Sequence, residues 1–242
     1  MSEITLEPLV GPYDLGEGPH WDPISQKLYY VDIYAQKVFR FDPASGIVTS
    51  VFIENGPVGF VVPLEGCTDK FVAGCGIDFV LFSWNSEKSL ENCTAQVLVS
   101  ADSDRIETRL NDGKVDSSGR LWAANKKIVF DFLKNNIPGL PDGMTIDTNG
   151  NLWVAVYGGG GILNINPKTG ELLRFVKINN AKNITSVAFG GPNLDILYVT
   201  SARTGLNENQ LKEQLHAGYL FAIKGLGVCG FPANSFKLPK IN

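Results

Sequence analysis

Long helical periodicity is scarce in this chain of 242 residues, and so is an excess of charge of either sign. Lys and Arg number 21 against 25 Asp and Glu, the formal net charge is -4, and no dense basic run occurs. That excludes the electrostatic footprint of a nucleic-acid binder and of a protein that docks on anionic lipid. No stretch approaches the roughly 20 apolar residues of a membrane span. The opening Met1-Ser2-Glu3-Ile4-Thr5-Leu6-Glu7 carries acid where an export signal needs a basic start and an apolar core, so a cytoplasmic location is expected. Cys67, Cys75, Cys93 and Cys229 have no C-x-x-C spacing and read as free thiols in a reducing compartment. The two histidines, His20 and His216, lie far apart in the chain, and His20 is expected to pack beside Trp21. No G-x-S-x-G elbow occurs, which argues against a serine hydrolase of the α/β type. The glycines from Gly158 to Gly161 are not followed by Gly-Lys-Ser/Thr, so they form no phosphate loop. Gly225 to Gly230 matches G-x-G-x-x-G, but only twelve residues follow, too few for the helix and strand of a dinucleotide site.

What the chain does have is strand after strand. Its 44% hydrophobic content supports one domain over residues 1–242. The stretch Leu140-Pro141-Asp142-Gly143-Met144-Thr145-Ile146-Asp147 reads as a strand with a carboxylate at its entrance. Asn149-Gly150 then suits a tight hairpin turn with positive φ, and Leu152-Trp153-Val154-Ala155 reads as the returning strand. Val38–Gly46 and Ile162–Gly170 are near copies, each an alternating strand ending in a turn a few residues after such a hairpin. A recurring hairpin plus a third strand is the pattern of a β-propeller blade, which hides its strand edges by closing a ring. The polar run Asn207–Leu215 is the best helical candidate and is expected at the surface.

The repeat can be measured from the first residue of each second strand: Leu28, Phe71, Leu121, Leu152 and Leu197. The intervals are 43, 50, 31 and 45 residues, and only the third is too short for a four-stranded blade of roughly 40 to 50 residues. Were that interval two periods, like the 93 residues from Leu28 to Leu121, the chain would lack 62 residues there. A natural five-bladed ring is the alternative, but the regular spacing elsewhere favours a lost blade between Ala124 and Pro138, with the junction near residues 125–128. The N-terminal strand Ile4–Val10 is expected to complete the last blade.

Four blocks carry a family resemblance: Gly16-Glu17-Gly18-Pro19-His20-Trp21-Asp22, Arg109-Leu110-Asn111-Asp112-Gly113-Lys114-Val115-Asp116, Pro141–Asp147, and Thr185–Leu194. Together they resemble the regucalcin, senescence-marker protein and gluconolactonase group, in particular its insect luciferin-regenerating-enzyme-like branch. The resemblance implies an all-β, six-bladed β-propeller with one divalent metal (Ca, Zn, Mn or Mg) at the mouth of a central channel. It implies Glu17 and Asp142 as metal ligands, Asp142 as general base, and Arg109 and Asn111 as substrate-binding residues. The family's further ligand, an Asn in a Pro-Asn-Gly-Leu-like turn, and an acidic substrate contact have no counterpart here; both would fall in the missing stretch.

Carboxylate and amide oxygens suit hard divalent cations, and an open shell leaves room for water and substrate. The implied activity is gluconolactonase-type hydrolysis of a small sugar lactone, with no nucleic-acid or membrane partner. The alternatives are a non-enzymatic calcium-binding propeller and the luciferin-regenerating chemistry ascribed to the insect branch. Taken alone, Glu17 between two glycines, Asp142 after Pro141 and Asn111 would each suit a turn, and Arg109 a surface ion pair.

Overall fold

The computed structural model describes residues 3–101, 110, 114–115, 121–122 and 130–238. The chain starts with β1 (Thr5–Val10) and then folds a first blade from β2 (Gly16–Asp22), β3 (Lys27–Asp32), β4 (Lys37–Phe41) and β5 (Val48–Ile53). The second blade pairs β6 (Val58–Pro63), β7 (Lys70–Cys75) and β8 (Asp78–Ser83). Between β8 and the outer strand of that blade, the chain sends β9 (Leu90–Cys93) to the edge of β5 in parallel; β10 (Gln96–Ser100) then returns to β8. A short pair, β11 (Lys114–Val115) and β12 (Leu121–Trp122), follows. A further blade contains β13 (Leu140–Ile146), β14 (Leu152–Tyr157), β15 (Gly161–Asn166) and β16 (Glu171–Lys177). The closing blade takes β17 (Asn183–Gly190), β18 (Ile196–Ala202) and β19 (Leu220–Lys224) from the C-terminal side and β1 from the N-terminus. Between β18 and β19 lies α1 (Glu208–Glu213), capped by Asn207 and burying none of its residues.

The fold is thus an all-β propeller, and each repeat anchor named above falls in the second strand of its unit. The innermost strands pack side by side in the order β6, β2, β17, β13. Alternating side chains fill the seams between blades. Trp21, Tyr30 and Tyr198 join the first blade to the closing one, with the Trp21 and Tyr198 rings stacked 5.6 Å apart. Trp153, Ile162, Val187 and Phe221 join the closing blade to β13–β16. The opposite face of that sheet, Val154, Val156, Leu163 and Ile165, lies under Phe130, Phe132 and Ile137. Those residues follow directly on the junction at which a blade is expected to be lost.

Closure by the N-terminal strand holds as expected. β1 runs antiparallel to β19, from Thr5 opposite Lys224 to Val10 opposite Leu220. Leu6, Leu9 and Val10 pack against the two neighbouring seams. Deleting residues 1–10 exposes β19 as an edge and uncovers these seams, so the melting temperature should fall by at least about 5 °C. Differential scanning calorimetry checks this, and an unchanged transition would rule the closure out.

The core also sets an alkaline limit. Burial pushes the Tyr13 and Tyr198 phenols and the Cys75 thiol up to about 12. In the unfolded chain such groups release their protons near 10 and 8.5. The folded state therefore holds protons that the unfolded state has lost, and stability falls as pH rises from about 9 towards 12. Melting curves across that range should move steadily downward; a flat profile to pH 11 would contradict the assignment.

The turn after β13 departs from the sequence expectation. Gly150 has positive φ (83°), but Asn149 does not, so this is no two-residue turn with both central residues left-handed. Instead the fully buried Asp147 organises it: Oδ1 accepts from Asn149 N and Asn151 N, both at 2.9 Å, and Oδ2 from Trp153 Nε1 at 2.9 Å.

The C-terminal tail crosses the end of the channel away from the starts of the inner strands. Thr148 N donates to Cys229 O at 2.9 Å and Gly230 N to Leu194 O at 2.8 Å; further on, Phe236 N donates to Pro63 O at 3.0 Å and Glu65 N to Phe236 O at 2.9 Å. The tail thereby ties the β13–β14 turn to the β6–β7 turn, the two ends of the inner-strand arc.

Candidate functional site at the channel mouth

Among the described residues, the inner strands of the four-stranded blades, β2, β6, β13 and β17, carry the same irregularity. Pairing slips by one residue between Glu17 and His20 in β2, Val58 and Phe60 in β6, Pro141 and Met144 in β13, and Ile184 and Ser186 in β17. Each slip is a β-bulge, a device that twists a strand and re-aims its side chains. It falls near the start of every inner strand, so the four bulges form one level around the same end of the channel. Glu17 and Asp142 stand at that level, each one residue before a glycine.

The sequence holds this level in place through buried polar groups. Asp32, 4% exposed, accepts from Asp14 N at 2.8 Å and Leu15 N at 3.2 Å, fixing the entry to β2. Thr185 Oγ1 donates to Gly16 O across the gap between β17 and β2 at 2.6 Å and meets Thr200 Oγ1 at 2.9 Å. Glu17 is 4% exposed, and its Oε2 accepts from Gly18 N at 3.0 Å. Gly18 has φ of 54°, and a Cβ there would lie 3.2 Å from Gly59 O and 3.3 Å from Phe60 Cα. Asp142 is half-buried in the bulge of β13. Gly143 is packed so tightly on β17 that a Cβ would come within 2.1 Å of Ser186 Oγ.

Tyr157 belongs to the same neighbourhood. Burial first, then the negative charge of Asp142 and the nearby Tyr34, push its phenol above the ordinary value of 10.0. It stays a neutral hydroxyl at physiological pH. Only its place at the end of the returning strand could have pointed to it in the sequence.

Of the four residues expected at the site, Glu17 and Asp142 lie at the same end of two inner strands, β2 and β13, that flank β17. Arg109 and Asn111 lie outside the described residues, as do Ala124 and residues 125–128. Leu110, between the two substrate-binding candidates, has its N–H bonded to Gly76 O at 2.8 Å, just beyond the end of β7 that pairs with the start of β6. Among the described residues, no group of three or more His, Cys, Asp and Glu side chains is placed to hold a metal. Two carboxylates fit a hard divalent cation in chemical type, but they supply only part of a shell, which water and other oxygens must complete.

The sequence profile described as "SMP-30/Gluconolactonase/LRE-like region" matches in two pieces, residues 15–128 and 123–203. The chain belongs to this family. It is 30% identical to Regucalcin of Xenopus laevis, over 98% of this chain and 99% of that one. That alignment occupies 307 positions, 65 more than this chain has residues. The solved luciferin-regenerating enzyme superposes with a TM-score of 0.89 at 30% identity, covering 98% of this chain and 100% of that one. A regucalcin from Agrobacterium tumefaciens, described as a calcium-binding protein, shares the fold with a TM-score of 0.83 at 19% identity, covering 96% and 97% of the two chains. Among the described residues, no helix is long and apolar enough to cross a membrane.

Proposed function

We propose that this chain is a cytoplasmic, metal-dependent hydrolase of small sugar lactones, working at the channel mouth between Glu17 and Asp142. The observation that carries the reading is that two carboxylates stand on bulges at one level of the inner strands β2 and β13, in a chain of this family. A divalent cation held by Glu17 and Asp142 would polarise the lactone carbonyl and acidify a water. Asp142 accepts the proton of the attacking water. By the family resemblance, Arg109 would supply a positive donor to the carbonyl oxygen as negative charge gathers on it, and Asn111 would bind a substrate hydroxyl. Water oxygen bonds to the carbonyl carbon, the ring C–O bond breaks, and the proton taken by Asp142 passes to the departing ring oxygen. The product is the open hydroxy acid.

The reading includes a lost blade between Ala124 and Pro138. Three independent observations support it: the 31-residue interval, the profile match in two pieces that overlap at 123–128, and the 65 surplus alignment positions. A second reading, a metal-binding propeller without turnover, draws on the absence of any Pro-Asn-Gly-Leu turn from the sequence. Acid release from gluconolactone in a pH-stat, with and without Mn²⁺, Zn²⁺ or Ca²⁺, separates the two. Metal-stimulated release supports the hydrolase; a folded, monodisperse chain that matches the buffer blank contradicts it.

A further inference from the structure

We propose that the far end of the channel holds a second site, for a small uncharged amphipathic molecule. A cavity of about 450 Å³ opens there, within the range of small-molecule sites. It includes neither Glu17 nor Asp142. His20 and Met144 lie beyond the bulges that carry those carboxylates, further along the same strands, which places the cavity deeper in the channel. Three inner strands supply its walls, and the C-terminal tail roofs it through Phe231, Pro232, Ala233 and Asn234. That roof is strung between the backbone anchors at Gly230 and Phe236.

The chemistry of the lining selects the ligand. Met144, Ile146, Phe189 and Phe231 give an apolar body, while His20, Thr145 and Asn234 bring an imidazole, a hydroxyl and an amide to the same space. Mostly apolar walls with a few polar groups are the composition of small-molecule sites. No Asp, Glu, Lys or Arg is among the described residues that line it, so a charged ligand would be desolvated with no counter-ion. A polyhydroxylated sugar lactone would leave hydroxyls against Met144 and Ile146 unpaired. The site therefore takes a molecule with an apolar ring and one or two hydrogen-bonding groups, different in class from the substrate at the mouth. Phe231, 54% exposed, and Met144, 46% exposed, leave it open to solvent on one side.

The chain offers a direct reporter, because Met1 and Met144 are its two methionines. Full-length protein labelled with ¹³C-methyl methionine is titrated with 2-naphthol, and the Met144 methyl signal is followed. A saturable shift is expected, weakened roughly tenfold in Phe231→Ala, which removes an exposed aromatic contact from the roof. The same shift should persist in Asp142→Ala, and the charged analogue 2-naphthalenesulfonate should give none. No saturable response, an unchanged midpoint in Phe231→Ala, loss of binding in Asp142→Ala, or equal binding of the sulfonate would each overturn the proposal. None of these readouts depends on lactone turnover, so the site at the mouth and the site below the tail stand or fall separately.

Discussion

Replacing Asp142 with alanine is expected to lower kcat/KM for lactone hydrolysis by about 10²- to 10⁴-fold, the range that a positioned general base supplies. The loss should be seen in kcat even at saturating metal, because the proton acceptor is gone whatever the occupancy of the site. Glu17→Gln should behave differently. It keeps the shape of the side chain buried at the start of β2 but removes its charge, so its main effect is a higher metal requirement with a smaller loss at saturation. Initial rates across a Mn²⁺ series, with circular dichroism to confirm an intact fold, distinguish the two. Asp142→Ala that works as well as the parent chain would remove this residue from the chemistry.

Gly143→Ala is expected to be among the most damaging single substitutions in the fold. The added methyl would sit 2.1 Å from Ser186 Oγ, 2.6 Å from its Cβ and 2.8 Å from its Cα. The last of these is backbone, which cannot swing aside as a flexible side chain does. Overpacking of this kind costs about 3 kcal/mol. For a domain of this size that is a fall of roughly 6–12 °C in melting temperature. Activity should fall further than stability, because β13 must move away from β17 at the bulge that carries Asp142. Adding Ser186→Gly removes two of the three clashing atoms and should restore part of both losses, a coupling that a double-mutant cycle measures. Wild-type stability in Gly143→Ala would contradict the close approach of the two inner strands.

Much of this was legible in the sequence because propeller blades are local objects. A hairpin, a third strand and a turn are written in contiguous residues, so Val38–Gly46 and Ile162–Gly170 announced the same shape. Gly46 and Gly170 both have φ of 72°, and each bonds its N–H back to the carbonyl four residues earlier at 2.8 Å. Glu17 and Asp142, near the starts of the first and third motif blocks, stand at one end of β2 and β13 for the same reason: each of these inner strands starts on the same side. What escaped is non-local. Nothing in Leu90–Cys93 says that it leaves its own blade to lie parallel to β5, since that pairing depends on an edge about forty residues away being unpartnered. The path of the tail depends on which turns happen to end near the channel axis. Asp147 reads as an ordinary turn residue until Trp153 folds over it and its second oxygen is used. The Tyr157 phenol is pushed up by burial first and then by Asp142 and Tyr34, surroundings that its own sequence neighbours do not show.

The most direct test of the account is a calorimetric titration of the full chain with Mn²⁺, beside Glu17→Gln and Asp142→Asn. Shared ligation at the channel mouth predicts one ion per chain, with affinity falling at least tenfold in either variant, as removal of a ligating charge does when even outer partners contribute about 10- to 100-fold. A parent chain that takes up no Mn²⁺, or variants that bind it as tightly as the parent, would contradict it.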